Sequence, residues 1–170
     1  MQLRLIALVV GLLMLTACSN RDAAPVYPGG PGGPGGMGPG GPGGVSSAPL
    51  SGPGSQQDLA STAGDRVFFA YDRSDIAPEA QQILERQAQW LQRYPNLSVT
   101  IEGHADERGT REYNLSLGER RAQAVKNVLA ALGIPGSRIS TISYGKERPE
   151  IPHSDDQSYA QNRRAVTVLN

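Results

Sequence analysis

Hydrophobic and polar positions divide this chain into two unlike parts. Before residue 65 there is one apolar run, at residues 5–15, and no strand or helix periodicity follows it. From residue 65 onward, alternating apolar positions predict strands, and apolar positions at three- and four-residue spacing predict amphipathic helices. The predicted strands are residues 66–70, 97–102, 139–144 and 165–169, and the predicted helices are residues 78–94 and a long segment ending near residue 132, with a short helix at 157–163 left open.

The order of these elements is β-α-β-α-β-β. This order predicts an α/β (α+β) sandwich in which helices pack on a mixed four-stranded sheet. Residues 65–170 are numerous enough to bury a single hydrophobic core. The expected core members include Phe68, Trp90, Leu91, Ile101 and Val128.

The start of the second long helix has two interpretations. Ser116 and Glu119 have the spacing of a capping box, whereas a start near Thr110 would make the helix longer. Its end is better marked, because Gly133 is a typical residue just past a helix and Pro135 follows it.

Residues 1–17 have the features of a signal peptide, with Arg4 followed by an apolar run that is too short to span a bilayer. The run ends in Leu-Thr-Ala-Cys, which resembles the lipobox of bacterial lipoproteins and implies that Cys18 is the lipidated first residue of the mature chain. In such lipoproteins an Asp after the cysteine favours inner-membrane retention. Ser19 stands there instead, which implies the outer membrane. A plain signal peptide with a chance cysteine is the alternative.

Residues 18–64 are predicted to be the lipidated cysteine and a disordered Gly/Pro-rich tether. Residues 28–44 contain only Pro, Gly and Met37. A collagen-like helix is the alternative, but the segment is short and Met37 interrupts the triplet register. A flexible linker is therefore the preferred interpretation.

Composition excludes several classes of function. The 16 basic residues balance 16 acidic ones, so no basic field would attract nucleic acid. The single cysteine excludes an intramolecular disulfide. The two histidines, His104 and His153, are far apart in sequence, and His104 with Asp106 alone would make a poor metal site. We therefore expect neither metal nor cofactor, and interpret His104 as hydrogen-bonding the loop in which it lies.

The densest cluster of charged side chains lies between the second predicted strand and the long helix. Loops carry function when a rigid scaffold positions them, which makes this loop the candidate site. Gly103 and Gly109 are expected to allow sharp turns in it. The charged or titratable side chains are those of His104, Asp106, Glu107, Arg108 and Arg111, with Arg120 and Arg121 on the helix that follows.

Five motifs carry a family resemblance. They are FAYDRSDI at 69–76, GHADERGT at 103–110, EYNLSLGERRA at 112–122, ISYGKE at 142–147 and NRRAV at 162–166. Together they are similar to the OmpA-like peptidoglycan-binding family, and with the lipobox and the tether the chain resembles the peptidoglycan-associated lipoproteins of the Tol–Pal system. The resemblance implies a lipid-anchored outer-membrane protein, facing the periplasm, that binds peptidoglycan and the periplasmic protein TolB.

The family binds peptide stems of uncrosslinked peptidoglycan without covalent chemistry. The group that it recognises is the free end of meso-diaminopimelate, where one carbon carries both an ammonium and a carboxylate. The resemblance implies that Asp106 binds the ammonium, that Arg121 binds the carboxylate, and that Asp72 is a further acceptor. Such a zwitterion requires an acidic and a basic group close together.

The resemblance also implies roles for the residues around this pair. Backbone amides of the loop would bind carboxylate oxygens, and these are the amides of Glu107, Arg108, Gly109 and Thr110. Leu117 and Tyr71 would wall the site. The supporting residues would be Asn114, Asn162 and Arg163.

Other roles for these residues stay open. Asp106 could cap its own loop, Arg121 could form a structural salt bridge to Asp72, and Arg120 could be a solvated or partner-contacting residue. The alternative function is an enzyme that processes peptidoglycan with Asp72 and Asp106 as an acid–base pair, although no nucleophilic triad is evident in the sequence. A flagellar stator-type wall binder would need a membrane span with an ionisable residue, which residues 5–15 do not supply.

Overall fold

The computed structural model describes residues 51–170. The predicted signal peptide at residues 1–17, the lipidation of Cys18 and most of the predicted tether lie outside the described residues. No helix within residues 51–170 combines the length and the apolar character needed to cross a bilayer.

The described residues form four α-helices and a four-stranded sheet. The strands lie in the order β1-β4-β2-β3, with β2 and β3 parallel and the other neighbours antiparallel. The predicted sandwich of helices on a mixed four-stranded sheet is confirmed. The helices are α1 (Gln56–Thr62), α2 (Pro78–Arg93), α3 (Arg111–Ala131) and α4 (Asp156–Asn162), the strands are β1 (Arg66–Phe68), β2 (Val99–His104), β3 (Ile139–Gly145) and β4 (Arg164–Leu169), and a 3₁₀ turn lies at Gly136–Arg138.

Local capping decides where α3 begins and ends. The Thr110 side chain caps the helix by accepting a hydrogen bond from the Tyr113 amide at 3.2 Å. The earlier of the two predicted starts is therefore confirmed, and the capping box at Ser116 and Glu119 is wrong. Gly133 has a φ of +92° just past the helix, the left-handed conformation that glycine adopts at little cost.

The core lies between the helices and the sheet, and one predicted member is not in it. Trp90, Leu91 and Ile101 have no exposed surface, whereas 40% of Phe68 is exposed. Successive side chains of a strand point to opposite faces, so the burial of Val67 directs Phe68 away from the helices. The prediction of Phe68 as a core residue is wrong because the apolar run does not show which face is inward.

A contact between two glycines brings α3 close to the sheet. A Cβ atom on Gly103 of β2 would overlap the carbonyl oxygen of Gly118 in α3. Gly103 lies in the strand and has no positive φ, so its predicted role in a sharp turn is wrong. A glycine is needed at this position because any side chain would collide with α3. Gly109 does turn the chain, with a φ of +93°. The contact sets the first turns of α3 directly beside the end of β2.

Residues 56–62 are helical, although the tether was predicted to extend to residue 64. Leu59 of α1 is fully buried in the core, and the Asp58 carboxylate accepts a hydrogen bond from Trp90 Nε1 at 3.0 Å. The Gln56 side chain donates to the carbonyl of Thr167 and accepts from the amide of Leu169, both at 2.9 Å. The packed part of the chain therefore begins before residue 65. One buried apolar residue in a seven-residue helix produces no periodicity that a sequence reading could detect.

We expect Leu59→Ala to lower the free energy of unfolding of the full chain by ~2–5 kcal/mol, because it leaves a cavity among buried side chains. Gln57→Ala is the matched control, since Gln57 is exposed on the same helix and should change stability by less than ~0.5 kcal/mol. Urea unfolding followed by tryptophan fluorescence measures both. Equal stability of the two variants would show that α1 is not part of the packed fold.

Candidate binding site

A pocket of about 250 Å³ opens where the loop after β1, the loop after β2 and the first turns of α3 meet. It brings together most of the residues that the sequence predicted, and adds Tyr113. Glu107, Thr110 and Asn162 are not among its lining residues. The lining residues are Tyr71, Asp72, Asp106, Arg108, Gly109, Tyr113, Asn114, Leu117, Arg121 and Arg163.

Asp106 is the acidic centre of this pocket, and two arginines bind it. Arg108 donates to Asp106 from its backbone amide and Nε at 3.2 Å each and from Nη2 at 2.7 Å. Arg163 donates from Nη1 at 3.3 Å. Asp106 does cap its own loop through the Arg108 amide, and it is at the same time part of a three-residue ion cluster.

The electrostatic balance keeps Asp106 ionised. Burial opposes the charged form of the carboxylate, but the hydrogen bonds from Arg108 and Arg163 outweigh burial and hold the pKa of Asp106 below its ordinary value. At neutral pH the pocket therefore presents a fixed negative charge that is flanked by two positive ones.

Arg121 lies beneath the pocket and is fully buried. Its Nε donates to the carbonyl of Arg73 at 2.8 Å, Nη1 to that of His104 at 2.7 Å and Nη2 to that of Ala70 at 3.2 Å. Burial lowers the pKa of Arg121 to about 10, so the side chain still carries its charge at neutral pH. A guanidinium has five N–H groups, so two N–H groups of Arg121 do not take part in these three hydrogen bonds.

The alternative of a salt bridge from Arg121 to Asp72 is wrong, since no ion pair within residues 51–170 joins the two. Asp72 instead accepts a hydrogen bond from the Tyr113 hydroxyl. Asp72 has a φ of +55°, a left-handed conformation that Asp tolerates better than most residues. The turn directs its carboxylate to the rim of the pocket.

Arg108 is held between two aromatic rings. Its guanidinium carbon lies 4.2 Å from the centroid of the Tyr71 ring and 4.5 Å from that of Tyr159, distances typical of cation–π contacts. The Tyr159 hydroxyl also donates to Glu107 Oε1 at 2.8 Å. Helix α4, which carries Tyr159, therefore contacts the loop after β2 at both Glu107 and Arg108.

Two side chains from other elements bind carbonyls of the loop. Asn114 Nδ2 donates to the carbonyl of Arg108 at 2.9 Å, which joins the loop to α3 as its predicted ordering role requires. Lys146 Nζ donates to the carbonyls of Glu107 and Gly109 at 3.1 and 2.7 Å. Side chains from α3 and from the residue after β3 thus hold the loop in place, although the loop itself forms no helix or strand.

Of the remaining supporting residues, Arg163 lines the pocket and Asn162 does not. Arg163 donates from Nε to the carbonyl of Phe69 at 3.0 Å and so links the loop after β1 to Asp106. Asn162 Oδ1 accepts from the amides of Glu150 and Ile151 at 2.7 and 3.0 Å. It orders the loop before α4, and its contacts are with that loop.

His104 does not hydrogen-bond its loop, so that interpretation is wrong. Neither ring nitrogen has a hydrogen-bond partner among the described residues, and the ring packs 5.6 Å from that of Tyr144. Burial, reinforced by the charge of Arg164, lowers the pKa of His104 to about 4. No group of three candidate metal ligands forms within residues 51–170.

Tyr113 and Tyr159 are the two site residues that sequence reasoning missed. Tyr113 lies four residues before Leu117 on α3 and faces the same side of the helix, so the correct helix start would have indicated it. Tyr159 had no comparable signal, because it reaches the loop only through the docking of α4.

Comparisons with known proteins agree with this fold. A model of the OmpA family matches residues 68–163. The chain is 51% identical over 157 residues to the peptidoglycan-associated lipoprotein of Agrobacterium fabrum, covering 92% of this chain and 82% of that protein. It is 62% identical over 118 residues to that of Brucella melitensis, covering 69% and 70%.

Among solved structures, the fold is similar to the crystal structure of the peptidoglycan-associated lipoprotein from Burkholderia pseudomallei. The TM-score is 0.63 at 38% identity, with 71% of this chain and 98% of that chain covered. The chain therefore belongs to the OmpA family and, within it, to the peptidoglycan-associated lipoproteins.

Proposed function

We propose that this protein is an outer-membrane lipoprotein that binds peptidoglycan non-covalently and anchors the membrane to the cell wall. Its ligand is the free end of meso-diaminopimelate in a peptide stem. The observation that carries the proposal is the pocket around Asp106, where an ionised, 5%-exposed carboxylate lies beside arginine side chains. The names of its relatives support peptidoglycan as the ligand.

The chemistry of the pocket suits a zwitterion. A carboxylate recognises an ammonium, and guanidinium groups recognise a carboxylate with charge-assisted hydrogen bonds. Asp106 supplies the first, and Arg108, Arg121 and Arg163 supply the second, all from the lining of one small pocket. Tyr71 offers an apolar ring at the rim, so the end of an amino-acid side chain fits the pocket better than an extended hydrophobic ligand.

Binding without catalysis is the second part of the proposal. A general acid needs a raised pKa, whereas the hydrogen bonds to Asp106 overcome its burial and lower its pKa. If the protein were an enzyme, Asp72 would be the second carboxylate of the acid–base pair. Asp72 instead accepts a hydrogen bond from the Tyr113 hydroxyl. These contacts favour a charge-recognition site over an acid–base pair.

Location and partners complete the proposal. Cys18 carries the lipid that anchors the chain in the outer membrane, and the tether lets the folded part reach the wall. The protein works in the Tol–Pal system, binds TolB, and supports outer-membrane constriction during division. The support is the resemblance of the lipobox and motifs to the lipoproteins of that system.

Asp106→Asn should weaken binding of the full-length chain to purified sacculi by ~10–100-fold, because it removes a charge-assisted hydrogen bond to the ammonium. Co-sedimentation with sacculi measures the effect, and thermal unfolding checks that the fold is intact. Asp75→Asn is the matched control, since Asp75 is exposed in the loop after β1 and pairs with Arg73 outside the pocket. Full binding by a folded Asp106→Asn chain would refute the site.

Cys18→Ser should move the protein out of the outer-membrane fraction, because the thiol that would carry the lipid is lost. Ser19→Asp keeps the cysteine and should instead shift the protein to the inner membrane. Density-gradient fractionation of cell envelopes followed by immunoblotting distinguishes these results. Unchanged outer-membrane recovery of Cys18→Ser would contradict the lipid anchor.

A further inference from the structure

Donors within residues 51–170 already occupy the acceptor positions of the Asp106 carboxylate. Four N–H groups bind it, three from Arg108 and one from Arg163. A carboxylate offers about four lone-pair sites. An incoming ammonium must therefore displace a donor that is already there.

The two arginines differ in how easily they can leave. The Arg163 side chain is 15% exposed and is also bound to the carbonyl of Phe69, so moving it would also break its contact with the loop after β1. The Arg108 side chain is 38% exposed. Its guanidinium makes no other hydrogen bond among the described residues, and it lines the pocket. Arg108 is the donor that can be displaced at lower cost.

We propose that Arg108 determines ligand specificity by exchanging ion-pair partners, an inference that rests on the proposed function. The ligand ammonium replaces the Arg108 guanidinium on Asp106. The displaced guanidinium then binds the carboxylate on the same ligand carbon. One internal ion pair becomes two intermolecular ones, and no charge is left unpaired.

The flanking tyrosines make this exchange a short movement. Tyr71 and Tyr159 each lie within cation–π distance of the guanidinium carbon, and these contacts do not depend on which acceptor its N–H groups bind. Arg121 cannot take this role, because three backbone carbonyls fix its orientation. A rigid arginine and a movable one thus serve the same pocket.

The exchange explains why a ligand must present both charges. A lysine-type stem has an ammonium but no carboxylate on that carbon, so it would displace Arg108 and leave the guanidinium without a partner. The loss of one charge-assisted bond corresponds to ~10-fold or more in affinity. Selectivity for the zwitterion follows because only a zwitterion can both replace Arg108 on Asp106 and supply a new carboxylate for the displaced guanidinium.

The test is calorimetric titration of the full-length chain with a muropeptide that bears free meso-diaminopimelate and with its lysine counterpart. The wild-type chain should prefer the first by ~10-fold or more. Arg108→Gln should reduce this preference by ~10-fold or more, because it removes both the competitor for Asp106 and the partner of the ligand carboxylate. Arg111→Gln is the matched control, since Arg111 pairs with Glu147 outside the pocket, and should keep the wild-type preference.

Selectivity separates this role from a structural one. If Arg108 only held the loop, Arg108→Gln would weaken both ligands equally and leave their ratio unchanged, which would overturn the exchange while the proposed function stands. If the wild-type chain binds neither ligand, the proposed function fails and the exchange fails with it. A second readout is the Nε–H signal of Arg108 in nitrogen–proton spectra, identified by its loss in Arg108→Gln. It should shift on adding the zwitterionic muropeptide, and an unmoved signal at saturation would also overturn the exchange.

Discussion

A buried guanidinium group joins the elements that form the pocket. Arg121 extends from α3 and donates to carbonyls in the loop after β1 and at the end of β2. A buried charge is costly unless its hydrogen bonds are made, so the two chain segments must stay where their carbonyls meet the guanidinium. The two loops that carry Asp72 and Asp106 are thereby held at one end of the sheet.

Close packing between the backbones of α3 and β2 also positions the pocket. Because Gly103 and Gly118 lack side chains, α3 approaches β2 closely enough for Arg121 to reach both loops. The loop itself contains little regular structure, and side chains from three neighbours attach it: Asn114 from α3, Lys146 after β3 and Tyr159 from α4. The result is a rigid pocket floor beneath a rim on which Arg108 is the more exposed cation. The buried Arg121 and the more exposed Arg108 therefore come from different parts of the fold.

Much of this could be predicted from sequence, because periodicity and motif order are local properties. The strands, α2, α3 and the mixed sheet followed from the spacing of apolar residues, and most pocket-lining residues followed from the motifs. Features that depend on tertiary contacts did not. Phe68 faces outward because of sheet pairing, and α1 is stabilised by contacts with Trp90 and β4. The partners of Arg121 are backbone carbonyls, which leave no trace in side-chain patterns.

The most direct measurement is a crystal structure of the full-length chain with a bound muropeptide that carries free meso-diaminopimelate. We expect the ligand ammonium within hydrogen-bond distance of an Asp106 carboxylate oxygen and the ligand carboxylate against an arginine of the same pocket. A ligand bound elsewhere on the fold, or one that leaves the Asp106 ion cluster untouched, would contradict it.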